Sequence, residues 1–267
     1  MTSQLFQDTK ETFAKNQESV KLLLNFDRII LDTCIMHIEA LEHKLKTNAE
    51  IQLTAVQFLP TNTITLLKNI RQNDSLRTQY EGMFNQGLVL AVSHFSSALH
   101  SIFKEAINQA CCCCPDLLTA TGEDIKITFD ELKNYHFNLT EGLGDLVIKK
   151  KDISFQDMQS VQRAFKSFFN LDLEKDNITN NIILAQAARH SIVHAQGIAD
   201  EKFMKQIRDS KPRNIKLEIE ADEIIKFNTD EIELVQKSMI TYIDRLIEIL
   251  NERIIKSIDL DLDDIIS

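Results

Sequence analysis

The chain has 267 residues, of which 43% are hydrophobic, while only six are glycine, three are proline and none is tryptophan. This hydrophobic content is too high for a disordered chain, and the scarcity of glycine and proline disfavours a many-stranded sandwich or barrel and favours long helices. The net charge of −10 at pH 7 excludes a protein that coats nucleic acid with its whole surface, but it leaves room for a small basic site.

The first 75 residues predict an N-terminal helical extension, which precedes a helical-bundle domain over 76–267. Over residues 5–46, apolar side chains recur at intervals of three, four and seven, which places them on one stripe of one or two helices. Residues 50–59 predict a short helix that stops before Pro60. The polar run 71–75 marks the predicted boundary between the extension and the bundle.

The bundle domain opens with a long predicted helix over about 76–110, and its apolar residues share one face. They are Phe84, Leu88, Val92, Phe95, Leu99, Ile102 and Ala106. Thr128 and Glu131 have the spacing of a capping box and predict the start of a helix that reaches Ile148. A similar capping pair precedes a predicted helix over 155–169.

The last third of the chain is helical apart from one segment. A helix over 178–196 stops at Gly197, which suits the left-handed position beyond a helix end, and a short helix over 201–209 follows. Residues 215–227 alternate apolar and charged side chains and predict a β-hairpin. A final amphipathic helix covers 229–256. The sequence therefore predicts an all-α helical bundle with one short β-hairpin near its C-terminus.

The five cysteines are Cys34 and the consecutive run Cys111 to Cys114. Neighbouring helical residues point about 100° apart, so four adjacent cysteines do not converge on one metal ion. We interpret the run as buried, reduced thiols at a helix end before Pro115, with oxidation-sensitive surface thiols as the alternative.

Arg189, His190 and His194 lie within a turn and a half of the helix predicted over 178–196. Two histidines four residues apart share a helix face, as in zinc-binding helices, but Ser191 follows His190 where those helices carry a glutamate. No third ligand lies at helical spacing, so we expect no metal. A second interpretation is that the three residues are solvated groups on a helix surface.

A third interpretation comes from the whole segment 189–200, which resembles the signature of the HEPN superfamily (higher eukaryotes and prokaryotes nucleotide-binding domains). That signature is an arginine, four to six residues and a histidine, often with a polar residue after the arginine. The helices at 76–110 and 153–169 look like the first and middle helices of the family's bundle. The late hairpin and long last helix are similar to one HEPN branch, and the resemblance covers about 80–257.

The resemblance implies a homodimeric, metal-independent endoribonuclease that needs no cofactor and leaves a 2′,3′-cyclic phosphate on RNA. If the family's motif is aligned with this segment, the resemblance implies that Arg189 and His194 are the catalytic residues. His190 then occupies the polar position that supports them. The two motif helices would lie at the dimer interface. Stand-alone proteins of this type are toxins or antiviral defence effectors, with an antitoxin or a regulatory protein as a further partner. The alternative is a non-catalytic HEPN-like module for dimerisation or RNA binding.

The residues support this chemistry independently of the family. Histidine exchanges protons near neutral pH, and arginine is a permanent, forked phosphate binder. On a helix, Arg189 and His194 are separated by about 140° around the axis and about 7.5 Å along it, a gap that the long arginine side chain spans.

Basic residues after the motif are the predicted contacts to the RNA backbone, and binding through them should weaken as salt rises. They are Lys202, Lys205, Arg208, Lys211 and Arg213, followed by Lys216. Residues 149–151 form a second lysine cluster, and either group is alternatively a solvated face. The polar N-terminus lacks the pattern of a signal peptide, and the longest apolar runs, such as 88–92, are too short to span a bilayer. We therefore expect a cytoplasmic protein without a membrane partner.

Overall fold

A computed structural model of the chain describes residues 6–47, 60–72, 81–114, 117–119, 124–140 and 142–266. The described residues form ten α-helices and no β-strand beyond one isolated bridge, so the predicted all-α class is confirmed. The helices are α1 (Gln7–Leu24), α2 (Phe26–Thr47), α3 (Pro60–Gln72), α4 (Glu81–Cys113), α5 (Phe129–Asn134), α6 (Leu143–Lys150), α7 (Met158–Phe169), α8 (Asn177–His194), α9 (Glu201–Ile207) and α10 (Thr229–Ile266).

Helix α4 lies at the centre of the bundle and packs against α1, α6, α8 and α10. All seven residues of its predicted inner face are buried. Phe103 of α4 contacts Phe155 and three phenylalanines of α7, with ring centroids 5.3 to 5.6 Å apart and the rings tilted or edge to face. Such aromatic contacts add to the burial energy and hold α7 against the central helix.

Helix α1 packs on the bundle, although it belongs to the predicted N-terminal extension. Its residues Phe13, Val20 and Leu24 are buried in the same continuous core as α4 and α10. The predicted boundary after residue 75 and the predicted helix over 50–59 lie outside the described residues, so both stay predictions. Pro60 begins α3, because the fixed φ of proline suits the first turn of a helix.

The single helix predicted from Thr128 to Ile148 is two helices in the structure. The predicted capping box is confirmed, because the Thr128 hydroxyl accepts from the Glu131 amide and the Glu131 carboxylate accepts from the Thr128 amide. However, α5 ends after six residues, where His136 and Phe137 take positive φ angles of 51° and 60°. This left-handed pair turns the chain before α6 begins.

The β-hairpin predicted over 215–227 is not present. Lys216 and Asp222 adopt φ angles of 42° and 65°, which interrupt the extended backbone that a strand needs. The second half of the segment pairs instead with the turn after α8, through an antiparallel bridge between Ile198 and Ile224. Ala199 both donates to the Glu223 carbonyl (2.8 Å) and accepts from the Asp222 amide (3.0 Å).

Buried polar side chains hold the loop between α9 and residues 215–227 in place. Arg213, which the sequence predicts as an RNA contact, is only 5% exposed. Its Nε donates to the carbonyls of Ile215 (3.2 Å) and Lys216 (2.9 Å), so the guanidinium points into the loop. From α8, the side-chain amide of Asn180 donates to the Pro212 carbonyl at 2.8 Å and connects the same loop to the bundle.

The cysteine run is only partly buried. Cys114 is fully buried, as predicted, whereas Cys111 and Cys112 are exposed on the last turn of α4. The interpretation of the run as buried thiols is therefore wrong for those two residues, and surface thiols are the correct description of them.

We expect Arg213→Ala to lower the free energy of unfolding by about 1–3 kcal/mol, because the carbonyls of Ile215 and Lys216 would lose their buried donor. The measurement is the midpoint of urea unfolding. Lys211→Ala, two residues earlier and exposed, is the control and should change stability by less than about 0.5 kcal/mol. Equal midpoints for the two variants would contradict a structural role for Arg213.

Candidate functional site at the end of helix α8

Helix α8 runs through the interior of the bundle before it reaches the surface. It starts at the N-cap Asp176, whose carboxylate accepts from the Thr179 amide at 2.9 Å. From Thr179 to Ala188 every residue but Ile183 is buried, so these turns have no solvent-facing side. Helices of this kind are core elements. The helix emerges only at Arg189, so its last turn is the part available for contact with another molecule.

The three predicted motif residues lie on this emerging turn. Arg189 and His190 are half-buried and His194 is exposed. The two imidazole rings lie side by side, with centroids 4.8 Å apart and planes tilted by 49°. The helical spacing predicted that these histidines share a face, and that geometry is confirmed.

A left-handed turn ends the helix and sets the direction of the next one. Gln196 and Gly197 have φ angles of 54° and 76°, and the Gly197 amide donates to the Ser191 carbonyl at 3.0 Å. The predicted left-handed role of Gly197 is confirmed. The Ser191 hydroxyl donates to the Ile198 carbonyl and braces the turn from inside. The chain then reverses into α9, whose predicted cap Asp200 accepts from the Phe203 amide at 2.8 Å.

The turn brings Lys202 of α9 back onto the motif. Its Nζ lies 2.9 Å from Nε2 of His190, across twelve positions of sequence. An ammonium group has donors and no acceptor, so Nε2 of His190 must be the acceptor and Nδ1 carries the ring proton. The sequence predicts Lys202 as a phosphate contact but gives no sign of this pairing, because the pairing depends on the angle of the turn.

The surroundings of His190 favour its neutral form. Burial lowers the pKa of His190 from its ordinary value, and the positive charges of Lys202, His194 and Arg189 lower the pKa further. The Asp200 carboxylate acts in the opposite direction but does not cancel these effects. His190 is therefore a neutral acceptor at pH 7, held between cationic or titratable groups.

The cluster of Arg189, His190, His194 and Lys202 has the chemistry of an anion site. It combines two permanent cations with two imidazoles on the surface of a chain whose net charge is −10. A phosphate could receive hydrogen bonds from arginine and lysine while an imidazole moves a proton beside it. Among the described residues, no group of three or more His, Cys, Asp or Glu side chains is arranged to hold a metal ion.

The other predicted basic residues are dispersed. Lys205, Arg208 and Lys211 are exposed beyond Lys202, and Arg208 lies 3.6 Å from Asp209. Arg213 is buried in the loop and does not belong to this surface.

Two further lysines that were predicted as part of basic clusters have acidic partners in the structure. Lys216 binds Glu231 at 3.2 Å and lies over the Phe227 ring. In the second lysine cluster, Lys150 binds Glu131 at 2.8 Å. Lys202 therefore has the most direct connection to the motif.

Comparisons of the chain with protein-family models, with curated proteins and with solved structures found no match. Within the described ranges, no helix combines the length and the apolar composition required of a membrane span.

We expect Lys202→Ala to raise the pKa of His190 toward the ordinary value of 6.5, because the variant removes a positive charge beside Nε2. Two-dimensional ¹H–¹⁵N spectra of the imidazoles, recorded across a pH titration, report both the pKa and the tautomer. Lys205→Ala, one turn further along α9, is the matched control and should leave both unchanged. A His190 ring that is protonated on Nε2 in the native protein would contradict the contact.

Proposed function

We propose that the protein is a metal-independent endoribonuclease of the HEPN type. The observation that carries this proposal is the cluster where α8 leaves the core, with Arg189, His190 and His194 within its last turn and a half and Lys202 in contact with His190. RNA supplies its own nucleophile, the 2′-OH beside each phosphodiester. A protein that cleaves RNA therefore needs only a phosphate-binding cation and groups that move two protons.

Arg189 and His194 are the proposed catalytic residues. The Arg189 guanidinium would bind the scissile phosphate and stabilise the extra negative charge of the phosphorane. An imidazole accepts the proton of the 2′-OH as its oxygen attacks phosphorus, and a second, protonated imidazole gives a proton to the departing 5′-oxygen. The products are a 2′,3′-cyclic phosphate and a free 5′-OH. His194 suits this work because it is exposed at the end of the helix.

His190 has a supporting role in the proposal. Its Nε2 is occupied by Lys202 at 2.9 Å and its ring lies against His194. A neutral His190 holds the ammonium of Lys202 beside the motif without adding a charge of its own. Lys202 would then provide a second cation for the phosphate, with Lys205, Arg208 and Lys211 as outer contacts to the RNA backbone.

The active form is proposed to be a homodimer with the two α8 ends at its interface. One exposed His194 per chain cannot serve as both base and acid in the same step, whereas a two-fold axis repeats every motif residue in one cleft. Two exposed apolar side chains border the motif and support a protein contact there: Val193 (47% exposed) and Ile224 (56% exposed), the latter bridged to Ile198.

The biological role follows only from the resemblance. Stand-alone HEPN nucleases act as toxins or antiviral defence effectors, so we propose this role in the cytoplasm, restrained by an antitoxin or a regulatory protein. The alternative function is a non-catalytic HEPN-like module for dimerisation or RNA binding. The exposed apolar residues of α2 favour that alternative. A nuclease should slow the growth of its expression host while its His194→Ala form does not, and equal growth would favour the module.

We expect the purified protein to cleave RNA in the presence of EDTA and to leave 2′,3′-cyclic phosphate ends. Arg189→Ala and His194→Ala should each reduce the cleavage rate by about 10²- to 10⁴-fold, because each removes a group that acts in the transition state. Gel analysis of end-labelled RNA of varied sequence measures the rate, and mass spectrometry identifies the ends.

The controls are Arg163→Ala and His136→Asn, which change an exposed arginine and an exposed histidine outside the cluster. Asparagine is chosen at position 136 because it tolerates the positive φ of this residue. These controls should cleave like the native protein. Uncut RNA with the native protein, or full activity in both motif variants, would disprove the nuclease proposal.

We also expect a mixture of Arg189→Ala and His194→Ala proteins to stay inactive, although their heterodimers contain one Arg189 and one His194 in a shared cleft. A single His194 supplies either the base or the acid, and cleavage needs both. Native mass spectrometry measures the fraction of heterodimer, so that a lack of association is not mistaken for a lack of activity. A native protein that is strictly monomeric at micromolar concentration, or heterodimers that cleave RNA, would contradict a cleft that uses two His194 side chains.

A further inference from the structure

Helix α2 has one apolar face in contact with α3 and a second apolar face in solvent. Ile35 of α2 and Ile64 of α3 are both buried, and α2 packs mainly on α3. The opposite side of α2 exposes large hydrophobic side chains, with Phe26 59% and Met36 58% accessible and Ile29 and Ile30 similarly open. Exposed apolar residues that form a continuous patch mark an interaction surface.

These exposed residues follow a heptad pattern. We use "α2 seam" for the residues spaced alternately by three and four along this face: Phe26, Ile29, Thr33, Met36, Ala40 and His43, all of them exposed. This is the spacing of the a and d positions of a two-stranded coiled coil. The centre of the α2 seam lies about 130° around the helix axis from Ile35, so contact with α3 leaves it open.

Charged residues on the two flanks of the α2 seam have opposite signs. Asp32 and Glu39 precede the a positions and are acidic, whereas Lys44 follows a d position and is basic. His37, a polar residue, follows the preceding d position. In a parallel pair of identical helices, each residue directly before an a position lies opposite the residue five positions further along the other helix. Asp32 would then face His37 of a second copy, and Glu39 would face Lys44 of a second copy.

An antiparallel pair gives the opposite result. It would place the acidic flank of one copy against the acidic flank of the other, which is unfavourable. Glu39 already binds Lys68 of α3 at 2.6 Å, so its carboxylate would be shared between Lys68 and Lys44 of the second copy. We propose that the α2 seam binds the α2 seam of a second copy of this chain as a parallel, in-register coiled coil. The occupant is identified by the self-complementary charges.

This contact is separate from the proposed active site, since none of its residues belongs to the motif. The number of chains in the assembly depends on which of the two contacts form. The motif contact alone, or the α2 contact alone, gives a dimer, whereas both together join more than two chains. The tests of the α2 seam therefore measure association at α2 itself and do not need RNA cleavage.

The first test uses disulfide trapping in the full chain. Cys34, Cys111, Cys112 and Cys113 are changed to Ser, and the buried Cys114 is kept. In a parallel, in-register pair, residue 40 faces its own copy, so we expect Ala40→Cys to give a disulfide-linked dimer on mild oxidation. Asn69→Cys on the exposed side of α3 is the control and should stay unlinked. Cross-links that form only between Ala40→Cys and Ile29→Cys chains would show antiparallel pairing and overturn the proposal.

The second test measures mass by sedimentation velocity across micromolar concentrations. The double variant Ile29→Glu, Met36→Glu should lower the mass of the native assembly to that of a monomer or of a dimer joined at the motif, because it buries charge in the α2 seam. Leu66→Glu on the outer face of α3 should leave the mass unchanged. Lys44→Glu should raise the dissociation constant of the contact on the order of tenfold, because the new carboxylate would face Glu39 of the other copy. A double variant with the native mass would disprove the α2 contact.

Discussion

The burial of α8 is the constraint on which the rest of the candidate site depends. Ten successive positions of this helix, Thr179 to Ala188, lie inside the bundle apart from the partly exposed Ile183. The helix packs against α4, α7, α9 and α10. The orientation of the last turn is therefore set by the core. A side chain on that turn has a position as well defined as the packing beneath it, which is what catalysis or selective binding of a phosphate requires.

The turn after α8 extends this rigidity to a second element. Backbone hydrogen bonds from Gly197 and Ala195 to the Ser191 carbonyl close the helix, and the bridge between Ile198 and Ile224 holds the turn from the other side. Lys202 reaches His190 only because α9 leaves this turn at a fixed angle. The cluster therefore combines a core helix, a braced turn and a short capped helix, and its charges are close together despite the acidic balance of the whole chain.

Local signals in the sequence predicted most of the described helices and several of their ends, because capping and helical periodicity act within a few residues. Thr128 with Glu131, Asp200 and Gly197 all have the predicted roles. The features that sequence reasoning missed depend on distant parts of the chain or on backbone angles that side chains do not reveal. Lys216 and Asp222 turn left-handed and prevent the hairpin, and Arg213 is drawn inward by carbonyls of its own loop. The apolar stripe over 5–46 was visible, yet the sequence could not tell that α1 buries its part while α2 exposes its own.

Because the pKa of His190 is lowered in the folded state, the free energy of unfolding depends on pH. The unfolded chain binds a proton at this residue more tightly than the folded chain does, so stability from this source is full above about pH 6.5 and is lost as the pH falls below that value. A phosphate that enters the cluster reverses the balance, because its negative charge favours imidazolium. Binding of such an anion is therefore accompanied by proton uptake, and its affinity increases toward acidic pH even though the protein alone becomes less stable there.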